Sequence, residues 1–109
     1  MARVVVVAPD LMLASRIEAN LTAAGHEVEL TPSISEASDL DGADLLLADL
    51  DREPSDAVVG LGVPVLGFYS HTDIETRRRA ETAGVDIVVP RSRLVREMPE
   101  LVERLLADG

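Results

Sequence analysis

The side chains able to do chemistry are concentrated at the ends of short apolar runs. The densest stretch is Ala43 to Pro54, in which Leu45 to Ala48 opens directly onto Asp49 and Asp51. Neighbouring carboxylates can hold a hard cation, accept a transferred group or exchange protons. Read alone, Asp49 better suits a strand end that caps the following turn. Asp10 follows a second apolar run, Tyr69, Ser70 and His71 follow a third, and Arg91 follows a fourth. Other chemistries have less to stand on. His71 has no Ser or Cys nucleophile clearly paired with it. With His26 as the only other histidine and no cysteine at all, a zinc site lacks its ligands. Pro9-Asp10-Leu11 stands where a Gly-rich phosphate loop would follow the first apolar run, which argues against nucleotide binding. All ten basic residues are Arg, so no lysine chemistry is available.

The elements that must position these groups alternate in type. Arg3 to Ala8, with four consecutive valines, reads as a buried strand. Leu13, Ile17, Leu21 and Ala24 recur at helical spacing, and Gly25 stands at the C-cap position. His26 to Leu30 is expected to form a second strand, Ser33 with Glu36 to open a short helix over Ile34 to Leu40, and Asp41-Gly42 to turn into a third strand over Ala43 to Ala48. Ser55 to Leu61 supports at most a short helix or an irregular crossover. Val63 to Phe68 reads as the fourth strand and Val85 to Val89 as the fifth. Between them Thr72 and Glu75 form a capping box for a helix closed by Gly84. Pro99 is placed in the first turn of a last helix with Leu101, Leu105 and Leu106 on one face. Arg77-Arg78-Arg79 reads as a solvated helix face paired with Glu75 and Glu81, with a docking patch as the sharper alternative.

Five repeats of strand and helix predict a parallel sheet with right-handed crossovers and helices on both faces. The expected class is a flavodoxin-like, three-layer α/β/α fold with strand order 2-1-3-4-5. That order brings the carboxyl ends of strands one, three, four and five to one crevice, with Asp10, Asp49, Asp51, Tyr69, Ser70, His71 and Arg91 around it. Composition bounds the partners. Twenty acidic against ten basic residues in 109 give a net charge of −10, which repels nucleic-acid phosphates. No stretch reads as a signal or membrane-spanning segment. A soluble, cytoplasmic protein of one domain, residues 1–109, is expected.

At this point the chain resembles the receiver domains of bacterial two-component response regulators. Asp44-Leu-Leu-Leu-Ala-Asp49 is similar to the receiver third strand ending in its phosphoacceptor aspartate, and Ala23-Ala24-Gly25-His26-Glu27-Val28 to the exit of the first helix. Ala83-Gly84-Val85-Asp86, with Arg91 seven residues after Gly84, is similar to the run that carries the receiver lysine. The resemblance covers the whole chain and implies the fold, but the chemistry departs from the pattern. The acidic pair that receivers use with the phosphoacceptor to hold Mg²⁺ falls on Ala8 and Pro9, leaving Asp10 beside them. The lysine position holds Arg91, the switch hydroxyl position Tyr69 with Ser70 next to it, and the aromatic switch position Val88.

Three functions are therefore open. The first is a pseudo-receiver, a signalling and protein-interaction module that is not phosphorylated in the standard way. The second is a divergent receiver with Asp49 as phosphoacceptor and Asp10 and Asp51, beside Asp49 itself, as metal ligands. The third is a small α/β enzyme or ligand-binding domain using the same crevice. The first is preferred, with no enzymatic activity, no resident cofactor, Mg²⁺ bound weakly or not at all, and no direct nucleic-acid or membrane partner. Because no output domain follows Gly109, it is expected to act by docking to another protein, with a homodimer open. Arg91 is expected either to reach the Asp49 carboxylate with a charge-assisted hydrogen bond or to pair with an acidic neighbour at the surface.

Overall fold

Four consecutive valines make β1 (Arg3–Val7), and Val4 to Val7 are entirely buried. The structure, a computed structural model, describes residues 2–36, 40, 42–70 and 74–108. β3 (Leu45–Asp49) is buried along its whole length, as is β4 (Val65–Tyr69). β2 (Glu27–Thr31) and β5 (Ile87–Pro90) are the edges of a five-stranded, all-parallel sheet in the order β2-β1-β3-β4-β5. This is the expected flavodoxin-like α/β/α architecture. Uninterrupted β-branched and leucine runs suit central parallel strands because both faces need apolar side chains.

Alternation along each strand divides the core in two. Val4, Val6, Leu45, Leu47, Leu66 and Phe68 face one layer, which contains α1 (Leu11–Ala23) and α4 (Arg91–Asp108). Val5, Val7, Leu46, Ala48 and Val65 face the other, with α2 (Ser55–Val59) and α3 (Ile74–Ala83). Gly25 and Gly84 end α1 and α3 with positive φ of 93° and 99°. At both ends the next two amides return to the last turn, His26 N–H to Leu21 O at 3.0 Å and Val85 N–H to Ala80 O at 3.0 Å. These paired bonds form Schellman caps, whose left-handed residue favours glycine.

The structure differs from expectation at several points. After β2, Ile34–Glu36 form one 3₁₀ turn, and residues 37–39 of the expected helix lie outside the described residues. Ser33 Oγ bonds the Glu36 carboxylate at 3.0 Å, and Ile34 N–H goes to Glu53 Oε1 at 3.1 Å, so the local bonds differ from those of a capping box. Thr72 of the second capping box, Asp41 of the turn and His71 also lie outside the described residues. Strand limits shift by one or two residues, with β3, β4 and β5 each beginning two residues later than expected.

α4 consists of two helical segments that meet at the non-helical Glu97 (φ −119°, ψ 18°), so Pro99 lies in the first turn of the last segment as expected, and the unforeseen part is the segment that begins at Arg91. In that first turn the missing N–H of Pro99 forfeits no helical bond, and its ring prevents the preceding segment from running on unbroken. Leu94, Met98, Leu101, Val102 and Leu105 are all buried along its inner side, which holds both segments against the same core layer. The fully buried Leu94 anchors the segment before the kink.

Gly67 in β4 is a close-packing position. A Cβ there would stand 2.6 Å from Leu50 Cδ1, 3.0 Å from Leu50 Cγ and 3.1 Å from Val85 Cγ1. Gly67→Ala is expected to destabilise the fold by roughly 1–3 kcal/mol through overpacking, read as a lower urea midpoint at unchanged m-value.

Candidate functional site

The carboxyl ends of β1, β3 and β4, with the first residue of α4, surround a cleft of about 450 Å³. Of the residues named from the sequence, Asp10, Asp49, Asp51, Ser70 and Arg91 line it. Tyr69 lies outside it, buried at the end of β4. Arg52 and Pro9 also line the cleft and were missed; the signal for Arg52 was its place directly after Asp51.

Each side chain is held by the turn that follows its strand. Asp10 is the N-cap of α1: its Oδ1 accepts from Met12 N–H at 3.0 Å and Leu13 N–H at 3.2 Å. Its other oxygen, Oδ2, accepts from a guanidinium nitrogen of Arg91. Asp49 ends β3 with only 7% of its surface exposed, and its Oδ1 accepts from Asp51 N–H at 2.9 Å. The carbonyl of Asp49 receives Arg52 N–H at 3.1 Å and Glu53 N–H at 2.9 Å, forming the tight exit from the strand. Asp51 Oδ2 accepts both the backbone N–H of Ser70 at 2.8 Å and its hydroxyl at 2.5 Å, tying the exits of β3 and β4 together.

Arg91 thus reaches into the crevice, and of the two alternatives it takes an acidic neighbour, Asp10, and not Asp49. Among the described residues no hydrogen bond or ion pair joins Arg91 to Asp49. The reason is geometric. The cap fixes the Asp10 carboxylate with one oxygen on the α1 amides and the other turned toward the start of α4.

The two carboxylates consequently experience opposite fields. The Arg91 hydrogen bond, followed by the bond from Leu13 N–H, holds the Asp10 carboxyl below the usual range. Burial pushes Asp49 up; the Asp51 amide bond and the Arg91 and Arg52 charges pull the other way without overcoming it, and the Asp51 charge adds to the rise.

The receiver resemblance implies Mg²⁺, and the residues present do not fit it. Mg²⁺ needs several oxygen donors at near-octahedral positions. Ala8 has no donor, Pro9 has no side-chain oxygen, and both Asp10 oxygens are already engaged. Among the described residues no group of three His, Asp or Glu could hold a metal ion.

No protein-family model matches the chain, and no curated protein is similar to it in sequence. Solved structures are similar in fold. A response regulator from Thermotoga maritima superposes with a TM-score of 0.81 at 14% identity, covering 98% of both chains. The non-phosphorylated HemR receiver domain from Leptospira biflexa gives 0.82 at 22% identity, covering 97% of this chain and 94% of that one. An orphan response regulator of H. pylori gives 0.83 at 20% identity over 96% of each.

Two measurements check the site. Asp49→Asn is expected to raise stability at neutral pH, since it removes a buried charge while an amide oxygen can still accept from Asp51 N–H. A raised folded-state pKa contributes stability below the unfolded value of 3.8 and loses it as pH rises through the folded one, so the advantage of the variant should vanish below pH 3.8 in urea titrations. Asp10→Ala is expected to cost more stability than Asp10→Asn, because Asn keeps the α1 cap and loses only the Arg91 charge pair. The same unfolding experiment should show coupling between Asp10→Asn and Arg91→Ala. From strand order through helix placement, the chain has the fold of the response-regulator receiver domains.

Proposed function

We propose that the chain is a pseudo-receiver: a receiver-like signalling module, residues 1–109 acting as one unit, that works by docking to a protein partner and is not phosphorylated in the standard way. One observation carries the reading. The carboxylate that directly follows β1, Asp10, is engaged by a helix cap and by Arg91. Phosphoryl transfer depends on positioned charge that neutralises the incoming group, and metal ions normally supply most of it. Here a permanent guanidinium occupies that region and is itself paired. Buried Asp49 remains beside it, its carboxyl pushed up by burial.

A binding role is favoured over catalysis because the described cleft has no nucleophile–base pair of the usual kind. The Ser70 hydroxyl is spent on Asp51, a carboxylate that also holds the Ser70 amide. The Asp10–Arg91 pair links α1 to α4, so it favours a single arrangement of the cleft.

Incubation with Mg²⁺ and acetyl phosphate followed by intact-mass measurement tests the proposal. The expected result is unmodified protein, with no saturable Mg²⁺ shift at the amides of Asp10, Asp49 and Asp51. A phosphoryl adduct that disappears in Asp49→Asn would establish the divergent phosphoacceptor instead.

A further inference from the structure

In the charged cleft one acceptor is left over by the internal pairing. Only 7% of Asp49 is exposed, and its carboxylate receives one hydrogen bond, from Asp51 N–H to Oδ1 at 2.9 Å. Among the described residues no donor reaches Oδ2. Unlike the sealed His26 Nε2, this oxygen keeps accessible surface, on the wall of the cleft. A buried carboxylate oxygen without a donor costs the folded state its desolvation.

The cations of the fold do not relieve it. Arg91 is committed to Asp10, and Arg52, exposed on the cleft wall, acts on Asp49 only through its charge. Asp51 works in the opposite sense: its Oδ2 is spent on Ser70, and its charge pushes Asp49 further up. With the Asp10–Arg91 pair neutral, Asp49, Asp51 and Arg52 leave one net negative charge in a space of about 450 Å³. A single positive charge brought from outside balances it.

The donor that suits a recessed oxygen is an ammonium. It is a compact charge on a slender aliphatic stem, whereas a guanidinium aims its paired donors at two acceptors side by side, and here Oδ1 is already turned to Asp51 N–H. The chain contains no lysine, so no ammonium side chain of its own can fill the place. The Arg52 guanidinium has no hydrogen bond or ion pair among the described residues, so its donors can take a neutral carbonyl without breaking a contact.

We propose that the cleft receives a lysine side chain of the protein partner, with the ammonium on Asp49 Oδ2 beside the Asp51 carboxylate and a peptide carbonyl next to that lysine on Arg52. The proposal rests on the docking role assigned to the module above and names its chemistry. It also gives a reason for a buried charge kept at a cost to stability: the carboxylate that Asn would relieve is the one the partner pairs with.

N-acetyl-lysine-N-methylamide, which carries the side chain between two neutral peptide groups, is the probe. Its titration into ¹⁵N-labelled protein near neutral pH is expected to give saturable shifts at the amides of Asp49, Asp51, Arg52 and Ser70. The norleucine analogue, without the ammonium, should give none. The n-butylammonium ion, without the peptide carbonyl, should bind roughly threefold or more weakly, the equivalent of one lost hydrogen bond. Asp49→Asn should abolish the saturable shifts, and Arg52→Ala should lower the lysine probe to the affinity of n-butylammonium. Should Asp49→Asn fail to fold, the norleucine comparison decides without any variant. Absence of saturable shifts, norleucine binding as tightly as lysine, or wild-type affinity in Asp49→Asn would each overturn the proposal. Equal affinity of n-butylammonium and the lysine probe would overturn the assignment to a protein partner in favour of a free amine. A phosphoryl adduct on Asp49 in the acetyl phosphate experiment would instead overturn the underlying docking reading, whereas absent lysine shifts with no adduct sink this inference alone.

Discussion

The burial of β1 and β3 on both faces is the constraint from which the rest follows. Val4 to Val7 and Leu45 to Ala48 are sealed between two helical layers and bear no polar side chain. Each such side chain contributes roughly 1.5–3 kcal/mol on leaving water. A polar residue inside these strands would need a partner that the layers do not offer. Polar chemistry is therefore displaced to the strand ends. At the carboxyl ends it forms the Asp10, Asp49, Asp51 and Arg91 cleft, and at the amino ends the His26, Asp44 and Glu103 cavity.

Asp10 shows how one residue serves structure and site together. A short acidic side chain after the first strand is a natural N-cap, and its Oδ1 binds two α1 amides. The cap then presents Oδ2 to the start of α4, where Arg91 meets it. The Asp10 side of the cleft is thus closed by internal charge pairing even though the protein as a whole carries a net charge of −10. Buried Asp49 feels burial most strongly, with the two guanidiniums acting as a weaker counterweight.

α4 joins the two ends of the sheet. Its first residue is Arg91 in the cleft, and Glu103 in its later half reaches the opposite cavity. The kink at Glu97 lies between them, with Glu97 accepting from Arg93 at 3.3 Å and Arg96 at 3.1 Å. Buried Leu94 before the kink and Met98 and Leu101 after it keep both segments against the same core layer.

By itself the sequence determined the layer architecture and the order of the strands, because hydrophobic runs and cap signals recur with little ambiguity. The valine and leucine runs read as doubly buried strands, and Gly25 and Gly84 marked the helix ends at which they adopt positive φ. It also determined which residues could gather at the carboxyl ends, and five of those now line the cleft. Tertiary structure alone decided the pairing. Whether Arg91 met Asp49 or Asp10 depended on where the α1 cap turned a carboxylate, a direction set by φ and ψ at a single residue and invisible in spacing. The helical segment from Arg91 to the kink escaped for a related reason: Pro99 marks the start of the last segment, whereas the turn ahead of it is held by burial of Leu94, a tertiary contact. The cavity at the amino ends was equally hidden, since it is assembled from residues up to 104 positions apart, counted from Ala2 to Leu106, that meet only when four strand starts are aligned.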